Sequence, residues 1–155
     1  MNNNIVSYSK SPFDSIRRLD KNGGEFWSAR DLMRLLGYQK WEQFVELINL
    51  ATVSCKNLGN STQNHFWEEI ENPLTLQDNF WLSCYGCYLV VMKSDQKNNA
   101  IVQAKDYFAV KTQKAEIKKI KQNALKLARE QANLLELAQE QVKLLERLKF
   151  LEEEN

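Results

Sequence analysis

The chain has 155 residues, of which 43% are hydrophobic and 26% are charged, and its formal net charge is +1. This length suffices for one compact domain with a hydrophobic core plus an appendage, but hardly for two full domains. A nearly neutral balance does not by itself call for nucleic acid as a partner, so any basic surface must arise from uneven distribution of charge along the chain.

The amino terminus and the cysteines indicate a cytoplasmic protein. The first ten residues lack the charged segment and apolar run of a leader, and the most apolar window, Phe80 to Met92, is too short to span a bilayer. Three cysteines without a secretory signal predict reduced thiols. We therefore expect a cytoplasmic location and no membrane partner.

A short β-hairpin is predicted first. Apolar residues between Phe13 and Leu19, and again between Glu25 and Trp27, flank the stretch Lys21-Asn22-Gly23-Gly24. Glycine in such a stretch supplies the positive φ that hairpin turns require. The spacing therefore predicts two short strands around a glycine turn.

Two helices are predicted to follow the hairpin. Ser28 followed by Asp31 resembles a capping box, and Gly37 ends the short helix that it begins. Apolar residues at three- and four-residue spacing predict a second helix from about Lys40 to Lys56.

The spacing of this helix pair is compatible with a DNA-reading helix-turn-helix. Arg30, Arg34 and Lys40 are the cations that could position or read bases. Glu42 and Glu46 lie near the same face of the second helix and repel phosphates, so the charge pattern does not favour direct readout of the major groove.

The middle of the chain predicts loops and then core elements. From Asn57 to Asp78 the composition is polar with one proline, which indicates loops and one or two short strands. Phe80-Trp81-Leu82 indicates a buried strand, and Ser83 is a candidate cap for a core helix from Cys84 to Lys93.

The rest of the chain predicts one long helix. The helix is expected to start at Ser94 to Lys97, and no proline or glycine follows before Phe150. We place a domain at residues 1–110 and a basic, then leucine-rich, oligomerisation helix at residues 111–155.

A heptad pattern along this helix predicts self-association. Two seam rows carry apolar residues with one glutamine in each, Gln131 and Gln141, and further leucine rows widen the stripe. We expect a homo-oligomer, as a coiled coil or a helical bundle; the alternative is a helix that packs back on its own domain. The candidate oligomerisation residues are Ile117, Ile120, Leu127, Leu134, Leu145 and Leu148.

Positive charge is concentrated in the first part of the same helix. Between Lys105 and Lys126 there are seven lysines and two acidic residues, a local balance of +5. Lysines at helical spacings of three and four share one face and could follow a phosphate backbone, although a solvated helix face is the alternative. The candidate DNA-binding lysines are Lys111, Lys114, Lys118, Lys119 and Lys121.

Cys84-Tyr85-Gly86-Cys87 has the spacing of a redox pair or half of a zinc site. The other candidate ligands, Cys55 and His65, do not match a standard zinc-binding pattern, and the apolar surroundings indicate interior cysteines.

We find no catalytic motif and expect no enzyme, no metal and no cofactor.

Four stretches together resemble a known family. They are Phe-Trp-Ser-Ala-Arg-Asp-Leu at 26–32, Leu-Leu-Gly-Tyr-Gln-Lys-Trp at 35–41, Cys-Tyr-Gly-Cys-Tyr-Leu-Val-Val at 84–91 and Ala-Lys-Asp-Tyr-Phe-Ala-Val-Lys-Thr-Gln at 104–113. Their order and spacing are similar to those of the DNA damage-inducible protein D family, which is related to the BRO-N domain of phage antirepressor-type proteins. Cys84 departs from the family pattern, which usually has a basic residue there.

The resemblance implies a mixed α+β domain with short strands packed on helices, followed here by the long helix. It also implies a role in the bacterial damage response, in modulating recombinase filaments or beside DNA-binding regulators, and it names no catalytic residues. We therefore expect a DNA-binding regulator that acts as an oligomer on single- or double-stranded DNA. The alternative is an adaptor that binds a repressor or recombinase through its helix without contacting DNA.

Overall fold

The computed structural model of the protein describes residues 10–74 and 77–155. The expectation that no leader is present rests on the first ten residues, and residues 1–9 lie outside the described part. The chain divides into two compact units, the first ending at Gln113 and the second comprising Lys114–Asn155. Each unit is described by itself below.

The first unit combines short helices with a small sheet, so the predicted α+β class is confirmed. In chain order its elements are α1 (Pro12–Ser15), β1 (Arg17–Leu19), β2 (Glu25–Ser28), α2 (Ala29–Leu35), α3 (Trp41–Asn57), a 3-10 turn (Thr62–Asn64), β3 (Phe66–Asn72), β4 (Gln77–Ser83) and α4 (Cys84–Lys93). The last helix, α5 (Asn99–Glu153), begins in the first unit and forms the second.

The sheet has four antiparallel strands in the order β1-β2-β4-β3. The predicted hairpin joins β1 to β2, with Gly23 at φ 80° in its turn. The carboxylate of Asp20 accepts the backbone N–H groups of Asn22 and Gly24, each at 2.8 Å, which fixes this turn. Because β2 and β4 are antiparallel, α2 and α4 follow them at opposite ends of this strand pair.

Serine side chains begin both of these helices, as their positions in the sequence predict. Ser28 Oγ accepts the backbone N–H of Asp31 at 3.3 Å, and Ser83 Oγ accepts that of Gly86 at 3.0 Å. Each bond satisfies a backbone N–H that has no partner in the first turn of a helix. Gly37, at φ 83°, follows α2 as expected.

One face of the sheet packs against helices to form the core. Trp27, Leu82 and Phe66 stand opposite one another in register on β2, β4 and β3, and all three are buried. The Trp27 ring lies 5.3 Å from the ring of Phe108 on α5, and its indole N–H donates to the carbonyl of Phe13 at 2.9 Å. This contact satisfies a buried polar group while the aromatic surface leaves water.

Two predicted boundaries are wrong in detail. Phe13 lies in α1 rather than in the first strand, which covers only Arg17–Leu19. The long helix begins at Asn99, where the side chain of Asn98 accepts the backbone N–H of Ile101 at 2.9 Å. Ser94 is buried instead, 2.6 Å from the hydroxyl of Tyr38.

The polar stretch before β4 contains a longer strand than its composition indicates. β3 covers seven residues, although glutamates occupy three of the positions from Phe66 to Asn72. Among the described strands its one neighbour is β4, so it lies at the edge of the sheet, where polar residues on a strand are tolerated. Within residues 10–74 and 77–155, no helix combines the length and apolar composition needed to cross a membrane.

Candidate DNA-binding surface

The lysines of the second unit lie on one exposed segment of α5. Lys114, Lys118 and Lys121 recur at intervals of four and three residues, so they share one side of the helix, and Lys119 lies next to that side. All four side chains are exposed, and none forms a salt bridge with a residue in the described part of the chain. Their charge is therefore available to an external anion.

Lys111 differs from these lysines because it is bound within the first unit. Its Nζ lies 2.6 Å from a carboxylate oxygen of Glu25 and 5.8 Å from the ring centres of both Trp27 and Tyr107. Only 23% of its side chain is exposed. The structure thus gives Lys111 a packing contact between α5 and the hairpin.

Arg30 is likewise held inside the first unit. Its Nε donates to the backbone carbonyl of Asp78 at 2.6 Å, and its Nη2 lies 3.2 Å from the carboxylate of the same residue. Its guanidinium also stacks over the ring of Trp41, 4.0 Å from the ring centre. Arg30 therefore joins the starts of α2 and α3 to β4, with its donors directed inward.

The other two predicted cations of the helix pair remain at the surface. Arg34 is 66% exposed, although its Nη1 lies 3.3 Å from a carboxylate oxygen of Asp31. Lys40 is exposed at the residue before α3, and its side chain makes no capping hydrogen bond. Glu42 and Glu46, on the first turns of α3, are also exposed. The helix pair therefore presents a mixed charge.

A cluster of aromatic residues on the other face of the sheet was not predicted. Phe26 and Trp81 pack edge to face with ring centres 5.4 Å apart, and Trp67 lies 6.1 Å from Phe26. Arg18 stacks 4.6 Å from the centre of the Trp81 ring, and Glu69 accepts the Trp81 indole N–H at 2.6 Å. The alternation of strand side chains could have placed these residues together, but only if the strand order were known.

The cysteines lie in an environment that opposes thiolate formation. Cys87 is fully buried, and burial raises the pKa of its thiol well above the ordinary value. Burial also raises the pKa of Cys84, against the smaller effects of the Thr112 hydroxyl and of Lys111. A low thiol pKa is the usual mark of a redox cysteine, and neither residue has one.

The remaining candidate ligand also has a structural contact. His65 Nδ1 lies 2.7 Å from Ser83 Oγ, and its ring packs edge to face on Tyr85 at 4.9 Å. In the described part of the chain, no group of three or more metal-type side chains comes together.

The apolar seam of the second unit is exposed along its length. The exposed fractions of its six predicted residues run from 44% to 66%, for Ile117, Ile120, Leu127, Leu134, Leu145 and Leu148. A single helix cannot cover its own apolar stripe, so these side chains are available to a partner.

The sequence of the first unit belongs to a recognised class of protein. Residues 15–109 match the BRO family, N-terminal domain. Since this match covers more than half of the chain, the chain belongs to the BRO family.

One relative adds a second comparison. The chain is similar to DNA damage-inducible protein D of Escherichia coli (strain K12), with 36% identity over 113 residues. The match covers 68% of this chain and 41% of that protein, so the chain spans about two fifths of the length of the relative it matches. No solved structure matches the chain.

Proposed function

We propose that the protein is a DNA-binding regulator of the damage-response or phage antirepressor type, which binds DNA as an oligomer. Membership of the BRO family and similarity to a protein named for its induction by DNA damage support this class of function. The surface that we assign to DNA is the lysine segment, defined as Lys114, Lys118, Lys119 and Lys121.

The observation that carries the proposal is the contrast between bound and free cations. Lys111 and Arg30 have carboxylate partners at 2.6 Å and 3.2 Å, so they stabilise the first unit, and we infer no DNA contact for them. The lysine segment has no such partner among the described residues. Lysines that neutralise phosphates release condensed counterions, which favours binding at low salt.

The helix pair has a smaller part in this proposal. Arg34 and Lys40 are exposed, and we assign them at most a contact with the DNA backbone. Glu42 and Glu46 beside them repel phosphates, so we assign no base readout to α3.

Binding to labelled single- and double-stranded DNA over a salt series tests the proposal. Four phosphate contacts predict a slope of about −3 to −4 in a plot of log affinity against log salt for duplex DNA. Replacing Lys118→Gln together with Lys119→Gln should reduce that slope by about 2 and weaken binding at low salt.

A matched control uses the same helix and the same change in charge. Lys143→Gln with Arg147→Gln also removes two positive charges, but these residues lie outside the lysine segment and outside the apolar rows. We expect this control to retain the wild-type slope. Equal slopes for wild type and the Lys118 and Lys119 variant would contradict the assignment, and the oligomeric state of each sample is measured in parallel.

The exposed leucine rows of the second unit favour one alternative function. The protein would be an adaptor that binds a repressor or recombinase through this helix and makes no DNA contact. Absence of DNA binding even at low salt would support the adaptor, and co-purification with a partner through α5 would then be the next measurement.

A further inference from the structure

The apolar stripe of the second unit has two parts of different width. At residues 114–126 it consists of the two seam rows, represented by Ile117 and Ile120, and the one leucine outside these rows is Leu125. Charged residues flank these rows on both sides, with Glu116 on one side and Lys121 on the other. Charged flanking positions are typical of a seam between two helices.

At residues 134–151 the flanking positions become apolar as well. One flanking row carries Leu135 and Val142, and the other carries Leu137, Leu144 and Leu151. Together with the two seam rows, they form an apolar face that covers an arc of roughly 150°, against roughly 50° for the seam rows alone. These flanking side chains are 53% to 61% exposed in the single chain.

We propose that residues 134–151 assemble with further copies of this chain into a bundle of at least three helices. This inference rests on the proposed function, in which the protein acts as an oligomer, and it specifies the number and kind of partners. A face of this width needs neighbours on two sides, because one neighbouring helix covers the seam rows and leaves the flanking rows at the solvent edge.

The residues of the seam rows agree with more than two helices. Two-stranded coiled coils are favoured by a β-branched residue in the first row and leucine in the second. In the wide part, the first row instead carries Ala138 and Leu145, opposite Leu134 and Leu148 in the second row. The β-branched first row that favours two strands is therefore missing where the face is widest, while the second row keeps leucine.

The charge pattern allows the neighbours to be copies of the same chain. Residues 127–151 contain four basic and four acidic residues, so their net charge is zero and no oppositely charged partner is required. A second copy can also bring glutamine opposite glutamine at the levels of Gln131 and Gln141, where each amide can both donate and accept. A wholly apolar partner helix would leave these amides unpaired.

Molecular mass in solution at micromolar concentration tests this proposal on the full chain. We expect wild type to have at least three times the mass of one chain by analytical ultracentrifugation. The variant Leu137→Glu with Leu144→Glu places charge in one flanking row only, and it should reduce the assembly below three copies while helix content by circular dichroism remains.

The matched control is Glu136→Gln with Lys143→Gln, which changes two exposed positions outside the four apolar rows. It should keep the wild-type mass. If wild type is a dimer and the flanking-row variant has the same mass, the bundle is overturned, but an oligomeric DNA-binding protein remains. If the flanking-row variant, with both glutamates, still forms an assembly of three or more copies, the assigned face is wrong. If wild type is a monomer, this inference and the oligomer of the proposed function are both wrong.

Discussion

At the scale of single residues, the same side chain type has different roles according to its partners. Lys111 and Lys114 are three positions apart on one helix, yet only Lys111 has a carboxylate, that of Glu25, within 2.6 Å. Both lysines fit the same charge pattern in the sequence, because that pattern depends on spacing and not on the residues that folding brings near. Assigning a cation to DNA therefore depends on whether an internal acid already neutralises it.

Tyr107 provides a prediction at this scale. Its hydroxyl donates to a carboxylate oxygen of Asp14 at 2.6 Å, and burial together with this carboxylate raises the pKa of Tyr107 above its ordinary value of 10.0. Because the pKa is raised in the folded state, the contact contributes its full stabilisation at pH values below that ordinary pKa. The stabilisation is lost as the pH rises above it, because ionisation in the unfolded chain is then favoured.

We therefore expect the free energy of unfolding of wild type to fall more steeply above about pH 10 than that of Tyr107→Phe. Urea unfolding at a series of pH values from about 8 to 11 measures this difference. The cysteine thiols of the unfolded chain also ionise in this range, but they are common to both proteins, so the comparison isolates Tyr107. Parallel curves for the two proteins would show that the hydroxyl does not contribute.

At the scale of elements, helix boundaries follow from local chemistry more closely than strands do. The cap at Ser28, the glycine after α2 and the cap at Ser83 were all recognisable, because each acts on backbone groups within a few residues. The extent of β3 was not recognisable, since its polar residues form a strand only by pairing with β4.

Replacement of Ser83 tests the contribution of one cap. Ser83 Oγ accepts the N–H of Gly86 and also lies 2.7 Å from His65 Nδ1, so Ser83→Ala removes a helix cap and a side-chain contact together. We expect the free energy of unfolding to fall by about 1 to 2 kcal/mol, measured by urea denaturation.

Ser61→Ala is the control for this substitution. Ser61 precedes the 3-10 turn at Thr62–Asn64, but its side chain makes no capping hydrogen bond. Its replacement should change the free energy of unfolding by less than about 0.5 kcal/mol. A similar loss in both variants would mean that the Ser83 cap is not the cause.

At the scale of the whole molecule, the buried core and the exposed helix are separate in the chain. Every buried side chain in the described part of the protein lies at or before Phe108, and the second unit begins at Lys114. The sequence predicted a boundary between residues 110 and 111 from charge and heptad pattern, and that boundary stays a prediction.

Truncation to residues 1–113 tests whether the first unit folds alone. We expect cooperative urea unfolding with a free energy in the ordinary range for a single domain, roughly 5 to 15 kcal/mol. The fragment should also keep the near-ultraviolet circular dichroism of the full chain, because the tryptophans all lie in the first unit. Loss of that signal would show that the first unit requires residues of the second.

The sequence by itself determined the α+β class, the family, the hairpin turn, the helix caps and the concentration of lysines on one helix. The turn, the caps and the lysine pattern depend on residue types or on neighbours within a few positions, where the periodicity of the backbone is sufficient. The family, and the α+β class that it implies, follow from the order and spacing of four motifs between residues 26 and 113. Only the tertiary structure decided that Arg30 and Lys111 have internal partners. Those contacts join residues 48 and 86 positions apart, and such pairs are set by the packing of the sheet against the helices.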